Sequence, residues 1–248
     1  MPILIAFAAI IIVVVLISGL QTLRARVRTR RLRRAAESLG FRFTEEGDPQ
    51  LLHRTAGLLL FSMGQTGEMA NVMRGQMPDL PGRPDVAIFE YTFSAPLGRF
   101  IESWRQTVVR FSSDALGLPY FSLLPEPVFD QMAANARTSE MKERLMGTAG
   151  VRFPDHPEFA GQVHVLAEDD AQVRALLDDA TRAAYRAHPG LCVEGIDRIL
   201  CCYRYDELAS PADVAERLEE AAEIYRHLVR SRGTPDAPDT LDKEEKEP

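Results

Sequence analysis

Cysteine is nearly missing from this chain: three residues, Cys192, Cys201 and Cys202, in 248. An odd trio in which two are neighbours cannot build the disulfide framework of a secreted scaffold, so a reducing compartment is expected. The short signatures of common chemistries are missing too. No G-x-x-x-x-G-K-[ST], G-x-G-x-x-G after a strand, H-E-x-x-H or G-x-S-x-G occurs. That removes the phosphate-cradling, dinucleotide, zinc-protease and serine-hydrolase patterns. Five histidines, His53, His156, His164, His188 and His227, are scattered without ligand spacing, so no metal and no cofactor is expected. Charge is absent altogether from the eighteen residues Ile3 to Leu20.

That uncharged run is about 27 Å long as a helix, close to a hydrocarbon core of about 30 Å. Thirteen of its residues are Ile, Leu, Val or Phe, each favouring insertion by roughly 0.3–0.6 kcal/mol at mid-membrane. Residues 1–20 therefore read as a transmembrane anchor. A cleaved signal peptide would need positive charge before the run and a small-residue cleavage site after it, and Ser18-Gly19-Leu20-Gln21 is a poor match. Seven arginines in eleven residues follow: Arg24, Arg26, Arg28, Arg30, Arg31, Arg33 and Arg34. Positive flanks stay in the cytoplasm, which predicts a single-pass protein of the inner (cytoplasmic) membrane with its N-terminus outside. The same arginines are candidates for anionic lipid headgroups, and residues 21–40 read as a basic juxtamembrane helix ended by Gly40.

The remaining charge has the other sign. Beyond residue 34, 22 basic residues face 36 acidic ones, a balance of −14. An acidic surface repels phosphate backbones, so a nucleic-acid partner is excluded. Residues 41–232 are long enough for one well-buried domain. Residues 41–77 read as strands broken at Gly64, Gly67 and Gly75, with LLLF at 58–61 among them. After the rigid PDLPGRP loop at 78–84, Phe89, Tyr91 and Phe93 share one strand face. Thr107, Val109 and Phe111, then Phe121 and Leu123, repeat the alternation at spacings too short for crossover helices. A polar helical stretch is expected from Pro127 to about Met146.

The C-terminal half reads β-α-β-β-α: a strand at 162–167, a helix at 169–187 capped by Asp169, strands at 191–194 and 198–205 around a Gly195-Ile196-Asp197 turn, and a last helix. That helix has Ser210 as N-cap, Pro211 at N1, and an apolar stripe of Val214, Leu218, Ala221, Ala222, Tyr225, Leu228 and Val229. The fold class is thus α+β: an N-terminal transmembrane helix, then a mainly antiparallel sheet with helices packed on it. Residues 233–248, rich in acid and proline, read as a disordered tail.

The strings WRQTVVRFSS, LPYFSLLPEPVF, VRFPDHPEFAGQVHVLAEDDAQVRALL and VEGIDRILCCYR resemble a group of uncharacterised bacterial membrane-anchored proteins, over roughly residues 57–230. The resemblance implies an α+β cytoplasmic domain and no catalytic residue. Ala167 and Glu168 depart from the glycine expected there.

For catalysis the candidates are Asp155 and His156, beside Glu158, as an acid-oriented imidazole; the flanking Pro154 and Pro157 favour a tight turn. Asp169-Asp170 fits helix capping better than Mg²⁺. Cys201-Cys202 places one thiol on each strand face, one buried and one exposed, as packing rather than a redox pair. Trp104 reads as a core residue. The function expected is a membrane-anchored, non-enzymatic module binding an unknown protein partner or the membrane surface; the alternative is an enzyme of unrecognised type acting near the membrane.

Overall fold

The computed structural model describes residues 2–64, 66–97, 99–135, 145 and 150–231, with the side chains of residues 2–18, 97 and 135 outside that description. Eight strands, β1 (Arg42–Glu46), β2 (Thr66–Gln76), β3 (Asp85–Leu97), β4 (Phe100–Ser112), β5 (Leu118–Pro125), β6 (Val163–Ala167), β7 (Cys192–Asp197) and β8 (Ile199–Tyr203), form one sheet. Its spatial order is β1-β2-β3-β4-β8-β7-β5-β6 and every pairing is antiparallel. The α+β class and the antiparallel sheet expected from the alternation are therefore present.

Both faces of the sheet are covered. Helix α1 (Pro2–Ser38) packs on one face. There it is joined by α6 (Asp170–Leu176), α7 (Asp179–Arg186) and α8 (Val214–Ser231) over Ile88, Val109, Phe111, Phe121 and Val193. On the other face α2 (Pro49–Thr55), α3 (Leu59–Ser62) and α4 (Glu126–Asn135) cover Phe89, Tyr91, Phe93, Trp104, Val108 and Cys201. A short α5 (Pro157–Ala160) precedes β6. Phe89, Tyr91 and Phe93 do share a face, and it is a buried one because three helical segments lie over it. Trp104 stacks on Phe93 at 5.1 Å.

Several boundaries differ from expectation, some for a tertiary reason and some for a local turn or cap. LLLF is not a strand: Leu59–Ser62 is a helical turn whose Leu59 and Leu60 N–H groups donate to the Glu194 carboxylate at 2.5 and 3.1 Å. Gly67 and Gly75 do not break strands but lie within β2, where an added Cβ would meet the Tyr91 hydroxyl at 2.3 Å and the Phe41 ring at 2.1 Å. Gly195 likewise lies within β7, its missing Cβ making room for Phe121, and the hairpin turns one step later at Asp197-Arg198, with Asp197 at φ 49°. The single helix expected at 169–187 is two, because Asp178 caps a second start through the Thr181 N–H. Asp169 caps the first, and the Gln172 N–H with its side-chain amide holds the Asp169 carboxyl below the usual carboxylate range. Helix α8 begins at Val214 rather than behind Ser210, which closes a preceding turn through the Asp213 N–H.

Two expectations fall on other residues. The helix continuing to Met146 is present as α4, while 136–144 and 146–149 lie outside the described residues, as does the tail 233–248. Among the described residues no helix is long and apolar enough to cross a membrane. Most of the uncharged run has its side chains outside the description. Its backbone is the first half of α1, a single 37-residue helix.

Helix α8 is the main cover of its face: Val214, Leu218, Ala221, Ala222, Tyr225 and Leu228 are buried on one stripe, and the Tyr225 hydroxyl donates to the Pro81 carbonyl at 2.7 Å. Leu218→Asp puts an unpaired carboxylate into that stripe and should cost about 3 kcal/mol or more. Urea unfolding of parent and variant with the same midpoint would show that α8 does not carry the core.

Candidate functional site

The basic segment after the uncharged run is where sequence and structure meet most closely. Its arginines divide into two groups. Arg28 reaches into the domain: its Nε donates to Glu90 Oε1 at 2.6 Å and its Nη2 to the Ala209 carbonyl at 2.8 Å. Glu90, on β3 and only 6% exposed, also accepts from Asn71 Nδ2 at 2.7 Å. Asn71 sits at φ 50° in a bulge of β2, between the Ala70 and Met73 pairings, which turns its amide toward Glu90 and Thr29. One and two turns further along α1, Leu32 and Ala36 are buried in the core. Gly40, at φ 70°, ends the helix and lets Phe41 fold back over Gly75. The segment thus shares the domain's core.

Arg33 pairs with Glu45 at 2.5 Å and lies over the Phe43 ring, both at the surface. Arg24, Arg26, Arg30, Arg31 and Arg34 are exposed and make no hydrogen bond or ion pair among the described residues. At about 100° per residue, Arg26, Arg30 and Arg34 stand opposite Arg28, Leu32 and Ala36. An unmatched cationic face remains, backed by a docked one.

The second candidate cluster is the turn at Asp155 and His156. It lines a cleft of about 290 Å³ with Glu158, Asp179, Arg182 and Arg186. Asp155 makes no hydrogen bond or ion pair with His156 among the described residues; the carboxylate beside His156 is Asp179, 3.6 Å from Nε2. The same Nε2 is 2.8 Å from Arg182 Nη2. A guanidinium has no lone pair to give, so Nε2 accepts and its lone pair is occupied. Arg182 also donates to Asp179 at 2.5 Å and to the Leu177 carbonyl, and Arg186 to Glu158 at 2.6 Å. The Arg186–Glu158 pair and the Arg182–His156 bond tie the start of α5 to α7 across the cleft. Among the described residues no group of His, Cys, Asp and Glu gathers as a metal site.

Composition and spacing did not point to the buried polar residues. Glu194 is 0% exposed, and besides the Leu59 and Leu60 N–H groups it accepts from the Tyr203 hydroxyl at 2.6 Å. Burial, with the Glu194 charge beside it, pushes the Tyr203 phenol well above its ordinary value. Arg74, Ala87, Arg110, Cys201, Glu194 and Ser122 form one cross-strand row on this face. The sign that was available is charge inside strands with no polar face: Glu90 in AIFEYTF and Glu194 in CVEGID. Cys201 and Cys202 do point to opposite faces, but both are buried, because helices cover both sides. Burial raises all three thiols above the ordinary range.

No family model matches the chain and no curated protein matches it, in keeping with its resemblance to a group without an assigned activity. Among solved structures, the crystal structure of the mycobacterial trehalose monomycolate transport factor A, TtfA, is similar. The likeness has a TM-score of 0.56 at 16% identity, over 83% of this chain and 96% of that one. At that identity the likeness is one of fold.

Two outcomes test these assignments. Arg28→Ala strands Glu90 with only Asn71 as partner and should cost about 3 kcal/mol, while adding Glu90→Gln recovers about half, a coupling visible in a double-mutant cycle by urea unfolding. Additive effects would mean that Arg28 and Glu90 do not interact in solution. Titration with a thiol-reactive chromogen should find no reactive cysteine in the folded protein and three in guanidinium; a fast-reacting thiol before unfolding would contradict the two-sided cover.

Proposed function

We propose that the chain is a non-enzymatic accessory module of the inner membrane. Residues 1–20 form its anchor, the N-terminus lies outside, and the domain from residue 41 faces the cytoplasm. The observation that carries this reading is the continuity of α1: one helix runs from the uncharged residues into the domain core, where Arg28, Leu32 and Ala36 dock it. A domain keyed to its anchor in this way is held at a set orientation to the bilayer, which suits a module that presents a surface to a protein partner in the membrane or beside it. The fold shared with a protein described as a transport factor supports an accessory role. The enzyme alternative, with Asp155 and His156 as its residues, draws no support from a cleft in which Arg182 occupies the His156 lone pair.

Arg24, Arg26, Arg30, Arg31 and Arg34 are free to meet anionic headgroups, at about 1 kcal/mol each near the surface. Arg28 and Arg33 are engaged by Glu90 and Glu45 and contribute less. The full chain should stay in the membrane pellet after alkaline carbonate washing, and removal of residues 3–18 should release it. A chain beginning at Gln21 should sediment with anionic vesicles at low salt and come off as ionic strength rises. Changing Arg26, Arg30, Arg31 and Arg34 to Gln removes at most about 4 kcal/mol of that attraction. Equal sedimentation of parent and variant would leave these arginines as an orientation signal alone, and release of the full chain by carbonate would remove the anchor.

A further inference from the structure

The β3–β4 hairpin reaches past its neighbours. These two strands pair without a break from Asp85–Ser112 to Leu97–Phe100. β2 accompanies β3 only as far as Ser94, and β8 accompanies β4 only from Ser112 to Val108. Residues 95–96 and 100–102 therefore form a two-stranded finger with no strand beside it. On that finger Phe100 and Ile101 are each 79% exposed, more than any other large apolar side chain described. Being consecutive in a strand, they point to opposite faces. The base of the finger is stiff: Phe93 and Trp104 stack at 5.1 Å, and the Ser94 and Ser103 hydroxyls meet at 2.7 Å.

The direction of the finger follows from α1. Gly40 reverses the chain, so β1 returns along α1, with Arg33 paired to Glu45. β1, β2 and β3 are successively antiparallel, so the N-terminal end of α1 and the tip of the hairpin lie at the same end of the molecule. Arg28 docking on Glu90 sets the level. Leu97 is seven residues beyond Glu90, or about 23 Å at about 3.3 Å per residue. The same distance along α1 from Arg28, at about 1.5 Å per residue, is roughly fifteen residues, which reaches into the middle of the uncharged run. A tilt between finger and helix shortens this reach but leaves the tip on the lipid side of Arg24, only about 6 Å along the axis from Arg28.

We propose that the β3–β4 finger enters the same leaflet as α1, seating Phe100 and Ile101 at the boundary between headgroups and acyl chains. The proposal rests on α1 being a membrane anchor. Lipid is the occupant that covers both faces of a narrow finger at once, whereas a protein groove would cover one. Arg99 and Arg105 are exposed beside the apolar pair, with Glu102 as the one acid between them. Arg105, toward the base, extends to phosphates while the apolar pair sits below it, and Arg99, in the turn at the tip, reaches back toward them along its aliphatic stem. Two contacts, helix and finger, then prevent the domain from turning about the anchor axis, so one fixed side of it faces any partner.

The test uses the full chain reconstituted in vesicles. Because the native thiols are buried, Ile101→Cys can be labelled selectively with a nitrobenzoxadiazole fluorophore. Asp114→Cys, in the turn at the opposite end of β4, serves as the distal site. The expected result is a blue-shifted emission at 101 that is quenched by nitroxide-bearing lipid, with neither effect at 114. Unquenched, water-like emission at 101 from protein that resists carbonate washing overturns the finger and leaves the anchor standing. Equal quenching at 101 and 114 also overturns it, since the contact would then not belong to the finger. Protein washed off by carbonate overturns both the anchor and the finger that depends on it.

Discussion

A carboxylate taken out of water at Glu90 must be met by a cation and by hydrogen bonds, or the sheet beneath it is destabilised by several kcal/mol. The cation arrives from outside the sheet, on α1, and the second donor from the Asn71 bulge. Charge at this point reinforces apolar packing: Leu32 and Ala36 hold α1 against the sheet, and a slide of one turn would both displace them and strand Glu90. The pair therefore sets the register of α1, and with it the direction in which the uncharged run leaves the domain and the end at which the β3–β4 finger lies.

Cover on both faces of an eight-stranded antiparallel sheet explains most of the remaining chemistry. Such a sheet leaves no polar face for its strands, so Arg110, Glu194 and Ser122, in one cross-strand row, are all buried. Glu194 answers by capping α3, a four-residue helix lying on apolar side chains, and satisfies its first N–H groups without water. The thiols of the same sheet are removed from solvent on both sides and kept protonated, which suits packing and not redox exchange.

Rigid continuity between a basic helical segment and a domain core is a different design from a Gly/Ser-rich tether. A flexible linker lets a domain sample a hemisphere above the bilayer, with its surfaces presented at random. Here α1 carries no such break, so the cationic face of Arg26, Arg30 and Arg34 is locked opposite the docked face. An arginine engaged by Glu90 or Glu45 serves the fold, and the other five make no such pair among the described residues.

What the sequence by itself determined follows short-range physics. Alternation at period two in residues 86–93 and 107–111, short spacings between strands, and the stripe from Val214 to Leu228 were enough for an α+β fold with an antiparallel sheet and a docked last helix. The side-chain cap at Asp169 and the excess of arginine after residue 23 were equally local signals. Much of what the sequence misassigned depends on a partner distant in the chain, while the split at Asp178 and the start of α8 at Val214 follow local turns. LLLF became a helical turn because of Glu194, some 135 residues away, and the glycines of β2 and β7 mark the approach of Tyr91, Phe41 and Phe121 rather than turns. Arg28 looked like its six neighbours until the fold put Glu90 beneath it. Local propensity selects which element forms; burial of charge, which exists only once the sheet is covered, decides where that element docks and which of seven identical side chains stays free.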